Sequence, residues 1–254
     1  MHQWQKWHSE TRAALEAISL DANNQNYTFL DHHYRRNHPL VMRLPYWKAF
    51  DWTIPYLQEK VGKEYIEFQG GRSCNVDYEV QSNQLRKYGS FNLFIDLMTT
   101  GPQNDVYITA NNHVFNKKAL KPLYADIGAL PPFLRNVPED GFFWIGADTT
   151  TPLHHDLTNN FMCQLMGEKL VRCVPPDQFD KIDYRTGVHS NIGWLTEEYA
   201  EEHAINYIDF HLHSGEALFL PIGWWHSIKS FGISASVVYT NFIWNNSFFH
   251  NFVG

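Results

Sequence analysis

The chain has 254 residues, of which 44% are hydrophobic and 19% charged, a globular composition that excludes collagen-like and disordered classes and supplies a core of ample size. Its formal net charge of -7 argues against a general attraction to nucleic acid or to an anionic membrane surface. The three cysteines, Cys74, Cys163 and Cys173, lack CxxC spacing, so neither a disulfide framework nor a zinc knuckle is expected.

Met1-His-Gln-Trp-Gln-Lys-Trp7 lacks the apolar stretch of a signal peptide. No apolar run approaches the roughly 20 residues of a membrane span. Both point to a cytoplasmic protein. A length of 254 residues would allow two domains, but barrels and sandwiches use this length for one, and one domain over residues 1–254 is expected.

In chain order, Trp7 to Ile18 carries the period of an amphipathic helix, and Leu40 to Leu44 reads as a strand stopped by Pro45. Thr53 is placed to cap a helix from Ile54 to Val61, with Gly62 as its stop. Tyr65 to Phe68 and Val106 to Thr109 read as strands, and between them Ser90 caps a helix over Phe91 to Met98. Residues 110–138 mix loop and short helix, and His32-His33 reads as a solvated polar loop. From Gly141 the pattern changes to short β-rich runs separated by turn residues: Phe142–Ile145, Asn160–Leu165, Lys169–Val174, Ala217–Leu220 and Ser234–Trp244. Gly167 suggests a hairpin, and Thr196 a capped acidic helix from Glu197 to Ala204. The whole predicts a mainly β fold with flanking helices, a double-sheet jelly roll, with residues 1–140 as an elaboration and 141–244 as its core.

Two motifs carry the chemistry. His154-His155-Asp156 places an imidazole and a carboxylate at i and i+2, the same face of a strand. Gly215 to His226 fits a G-x5-P-x-G-x2-H frame. Gly215 opens a turn, Pro221 ends a strand, and Gly223 allows the bend from which His226 re-enters the barrel. Together His154, Asp156 and His226 make the two-imidazole, one-carboxylate set that leaves open positions on non-haem Fe(II). Divalent affinity alone does not exclude Zn or Mn. His211-Leu-His213 shares the i, i+2 spacing but reads as an exposed strand end. Lys169 reads in two ways. It is a hairpin lysine at the surface, or a buried ammonium that needs an anion facing it.

The segments Thr151–Phe161, Gly167-Glu-Lys169, Pro175–Phe179 and Leu220–His226 closely resemble the JmjC/cupin-8 family of Fe(II)- and 2-oxoglutarate-dependent oxygenases. The likeness is nearest to its asparaginyl hydroxylases and spans residues 28–244. The resemblance implies iron on His154, Asp156 and His226, with 2-oxoglutarate and O2 as cosubstrates. It implies that Lys169 and Thr151 bind the distal carboxylate of 2-oxoglutarate, that Tyr107 donates to the same carboxylate, and that Asn160 and Asn241 are further cosubstrate contacts. It further implies hydroxylation of a protein or peptide side chain. The alternatives are N-methyl-lysine demethylation, hydroxylation of RNA or a small molecule, and a non-catalytic metal-binding cupin. The family's dimerising C-terminal helices have no counterpart in the ten residues after Trp244 (254 minus 244), which leaves the oligomeric state open.

Overall fold

The computed structural model describes residues 28–110 and 114–247; the helix expected over Trp7 to Ile18 lies outside them. Among the described residues the strands are β1 (Leu40–Arg43), β2 (Tyr65–Gly70), β3 (Arg86–Ser90), β4 (Val106–Ile108), β5 (Phe142–Ala147), β6 (Thr150–His154), β7 (Asn160–Val174), β8 (Tyr184–Thr186), β9 (His189–Ser190), β10 (Ile208–His213), β11 (Glu216–Leu220) and β12 (Trp225–Tyr239). The α-helices are α1 (Ile54–Val61), α2 (Phe91–Thr100), α3 (Val114–Ala119) and α4 (Glu197–Glu202). All three expected caps form: Thr53, Ser90 and Thr196 accept from the backbone N–H of Tyr56, Leu93 and Tyr199 at 3.3, 3.1 and 3.2 Å, satisfying donors that a helix start leaves orphaned. No helix among the described residues is long and apolar enough to cross a membrane.

The strands are antiparallel and form the two layers of a jelly roll. β7 and β12 pair along most of their length and run through both layers. In the larger layer the order is β1-β11-β7-β12-β5-β4-β2-β3, and in the smaller one β10 joins β7 while β6, β9 and β8 extend from β12. The four strands that precede residue 141 all join the same network.

Strand alternation sorts the apolar side chains. One face of the larger layer sends Phe143, Ile145, Phe161, Cys163 and Val237 into a core shared with Trp47, Leu57, Phe91 and Phe94. Its other face sends Met162 and Val238 toward Val171, Cys173 and Phe210 of the smaller layer. Behind the smaller layer, Leu153, Val174, Leu195 and Trp225 form a third cluster. Each such side chain contributes about 1.5–3 kcal/mol on burial, which holds the layers apart at a fixed spacing around the polar groups between them.

Three expectations about elements are corrected. Gly167 does not make a hairpin; β7 continues through it from Asn160 to Val174, because β12 supplies a partner on both sides of the bend. The strand expected over Ser234–Trp244 is the second half of β12, which starts at Trp225 and ends at Tyr239. His32-His33 is not a loop: both lie in the π-helix Leu30–Tyr34, where His32 is exposed as expected and burial pushes the His33 imidazole down to about 4.

The bend in β7 demands glycine. Gly167 has φ +69°, and a Cβ there would lie 2.2 Å from the Ile233 carbonyl oxygen. Gly167→Ala is therefore expected to destabilise the fold by at least about 1–2 kcal/mol, read as a lower midpoint in urea denaturation. An unchanged midpoint would show that the bend does not need this residue.

Candidate metal centre

β6 is short, and a bulge makes it useful. His154 pairs with His226 and Thr151 with Ile228 of β12, with a register shift between them. The extra residue brings Thr151 and His154, three apart in sequence, onto one face. Leu153 turns the other way, into the cluster behind the layer. β6 ends at His154. Asp156 lies just past it, not on the strand as its i, i+2 spacing suggested, and its carbonyl accepts from the Gly223 N–H at 3.3 Å. The bend allowed by Gly223, with φ +76°, thus ties the two sequence motifs together.

The ligand atoms of His154, Asp156 and His226 all lie within 4.8 Å of one another. The two imidazole rings are 4.2 Å apart, centroid to centroid, and His226 Nε2 is 3.6 Å from Asp156 Oδ2. Backbone carbonyls fix both rings. His154 Nδ1 is 2.8 Å from the Pro152 oxygen, and His226 Nδ1 is 3.0 Å from the Trp224 oxygen. A carbonyl only accepts, so each Nδ1 carries the proton and each Nε2 keeps its lone pair. Burial, reinforced by His154, pushes the His226 imidazole down to about 3, which holds it in the neutral form that a metal requires. Asn160, at the start of β7, donates from Nδ2 to Asp156 Oδ2 at 2.6 Å and orients the carboxylate. Two basic nitrogens and one carboxylate, each held by a second partner, fit a divalent ion with open coordination positions. His155 faces away, edge-on to Trp225 at 4.7 Å between ring centroids.

Cross-strand partners share a face. His226 pairs with Cys173, Ile228 with Val171 and Ser230 with Lys169. His226 and Lys169 therefore look into the same interior, with Thr151 in the row between them. Lys169 is 2% exposed, so the buried alternative is the one realised. Its Nζ donates to Ser236 Oγ at 2.7 Å, and burial pushes its ammonium down to about 7. Tyr107 of β4 is buried on the same side and packs on Trp144 at 5.7 Å, and burial raises its phenol. Gly146 makes room for that ring: a Cβ there would lie 2.7 Å from Tyr107 Cδ2. Asn241 is turned elsewhere, its Nδ2 donating to Arg135 O at 3.1 Å and Asp140 Oδ2 at 2.8 Å.

The sequence reading missed Ser236, although Ser234 and Ser236, two polar residues at i, i+2 in an apolar strand, signal an inward polar face. It also missed His189, cross-strand to His154 with ring centroids 6.4 Å apart; nothing local to a two-residue strand announces it. His211 and His213 are exposed as expected, and His213 Nδ1 meets Glu168 at 3.2 Å.

Comparison with known proteins identifies a family. The Cupin-like domain family matches residues 4–250. The chain belongs to this family, in its JmjC branch. The lysine-specific demethylase 8 of Xenopus tropicalis is 25% identical over 82% of this chain and 49% of its own length. The lysine-specific demethylase JMJ30 of Arabidopsis thaliana is 26% identical over 86% of this chain and 52% of its own. JmjC domain-containing protein D of Dictyostelium discoideum is 29% identical over 78% and 49%. The chain thus spans about half the length of these curated relatives. The JmjC fold is that of 2-oxoglutarate- and Fe(II)-dependent oxygenases, and His154, Asp156 and His226 form a candidate metal site in this chain.

Proposed function

We propose that the chain is an Fe(II)- and 2-oxoglutarate-dependent dioxygenase that hydroxylates a side chain of a protein or peptide. The observation that carries this reading is a pairing. Two imidazoles and a carboxylate converge within 4.8 Å, and a fully buried lysine with a single hydroxyl partner looks into the same interior. The first would hold the ion and leave room for a chelate; the second calls for an anion, which the far end of a dicarboxylate supplies.

Bound at the triad, Fe(II) with 2-oxoglutarate supplies the oxidising chemistry, splitting O2 so that one atom enters a substrate C–H bond as succinate and CO2 form. The chain's own residues position and shield. His154, Asp156 and His226 hold the ion, and Asn160 keeps the Asp156 carboxylate aimed. Lys169, with Thr151 and Tyr107 beside it, fixes the distal carboxylate and so sets how the 2-oxo acid end reaches the metal. The burial of Lys169 keeps water away and strengthens that ion pair.

A second reading, N-methyl-lysine demethylation, is favoured by the names of the Xenopus and Arabidopsis relatives. It uses the same chemistry on an N-methyl carbon, with the hydroxylated product collapsing to formaldehyde. Incubating Fe(II)-loaded protein with 2-oxoglutarate and a peptide library separates the two. A stable gain of one oxygen atom coupled to succinate supports hydroxylation, and formaldehyde from a methyl-lysine peptide supports demethylation. A library without coupled turnover of either kind counts against both.

The lysine also sets a pH dependence. With its ammonium held near 7 in the free protein, a bound carboxylate must restore the charge. Affinity for 2-oxoglutarate is expected to be flat below pH 7 and to fall by up to about tenfold per unit above it. Calorimetry at pH 8 in two buffers of different ionisation enthalpy should show close to one proton taken up on binding; no uptake would contradict the role of Lys169.

A further inference from the structure

Ser236 of β12 has two cross-strand partners, Trp144 of β5 and Gln164 of β7, and all three side chains share the inner face. Lys169 reaches this row through its bond to Ser236 Oγ. Trp144 stacks obliquely on Tyr107 from the same side and packs against the inner apolar cluster. Its Nε1 is buried and meets no acceptor, and Gln164 Oε1, across Ser236, is likewise buried and meets no donor. A buried indole N–H without a partner costs about 1–3 kcal/mol, and tryptophan is an N–H donor only. A cation, an amide N–H or a hydrocarbon does not satisfy it; an acceptor oxygen, such as that of a carboxylate, does. Here the unfilled donor stands in the row that Lys169 enters, and the ammonium too has hydrogen-bonding capacity left.

We infer that the Trp144 indole N–H is a second donor to the distal carboxylate held by Lys169, which makes Trp144 a positioning residue for the cosubstrate. This rests on the proposed 2-oxoglutarate site and adds a residue to it. The ammonium supplies charge, a point attraction with little direction. The indole supplies direction, since its single N–H lies in the plane of a rigid ring braced by Tyr107. Together they would fix both the position and the rotation of the carboxylate, and favour a five-carbon dicarboxylate over a 2-oxo acid that lacks the far charge.

The test is binding to Mn(II)-loaded full chain, with 2-oxoglutarate and 2-oxobutanoate as ligands. Trp144→Phe keeps the ring and deletes the N–H. It should weaken 2-oxoglutarate by roughly 10- to 100-fold, the range for a hydrogen bond to a charged group, and leave 2-oxobutanoate and Mn(II) affinity unchanged. Equal weakening of both acids, or of neither, would overturn the inference. Lys169→Met, run alongside, separates it from its foundation. If wild type shows no preference for the dicarboxylate, the cosubstrate site itself fails. If Lys169→Met abolishes the preference and Trp144→Phe keeps it, Trp144 alone is dismissed. Should Trp144→Phe not fold, Zn(II)-loaded wild type labelled with 15N-indole gives the answer. One indole N–H resonance should move downfield with 2-oxoglutarate and stay fixed with 2-oxobutanoate; an unmoved set would overturn the assignment.

Discussion

Asp156→Ala is expected to abolish coupled turnover and to weaken Fe(II) binding by more than about 100-fold, beyond the 10- to 100-fold typical of residues that merely support a ligand. The carboxylate is the only negative charge in the set, so its loss leaves two neutral imidazoles to hold a divalent cation. The change also frees Asn160 Nδ2, whose 2.6 Å bond to Asp156 Oδ2 is lost, but Asp156 belongs to none of the three apolar clusters and the fold should survive. Metal titration by calorimetry, with a thermal melt as the control, checks both halves. Turnover at the wild-type level in a folded Asp156→Ala protein would remove the triad from the mechanism.

Lys169→Met is expected to act in opposite directions on two quantities. Affinity for 2-oxoglutarate should fall by roughly 30-fold or more, because removing one member of a buried ion pair costs about 2–5 kcal/mol. The free protein should become more stable. Lys169 has a folded pKa near 7, below its unfolded value of about 10.4, so between these values the unfolded chain binds more protons. Wild-type stability therefore rises with pH across that window and is lowest below pH 7, by an amount on the order of several kcal/mol. Methionine fills a similar volume without a charge, so the variant should lose this slope and unfold at higher denaturant at pH 7, measured without 2-oxoglutarate. A variant that binds 2-oxoglutarate like the wild type, or whose stability shows the same slope with pH, would show that Lys169 is not the anion-binding group.

The trade between the two quantities is the sign of a functional residue. A buried ammonium with one hydroxyl partner is a poor choice for folding, yet β7 places it where it reaches the row that ends at Trp144. Trp144 Nε1, a buried donor without an acceptor on the same inner face, carries a similar cost.

Much of this was legible without coordinates. The Thr53, Ser90 and Thr196 caps work because a cap depends only on residues two or three positions away. The jelly roll was legible because short β-rich runs separated by turn residues, such as Asn160–Leu165 and Lys169–Val174, are a local pattern. The ligand set was legible because histidine and aspartate at spaced positions between glycines and proline carry their chemistry in the residue types themselves. Local pattern failed at Gly167, where a glycine that looks like a hairpin is a bend inside one long strand. The difference lies in β12, some 65 residues away, which offers a partner on both sides.

The sequence by itself thus determined the fold class, the three candidate ligand types and the lysine's dilemma, since each follows from side-chain chemistry and short-range patterns. Only the tertiary structure decided that Lys169 is buried, that its ammonium meets Ser236 whose cross-strand partner is Trp144, that Asn160 steers Asp156, and that Asn241 turns toward Asp140. Those are matters of register between distant strands, and register is fixed by the packing of whole sheet faces, a property no single segment carries.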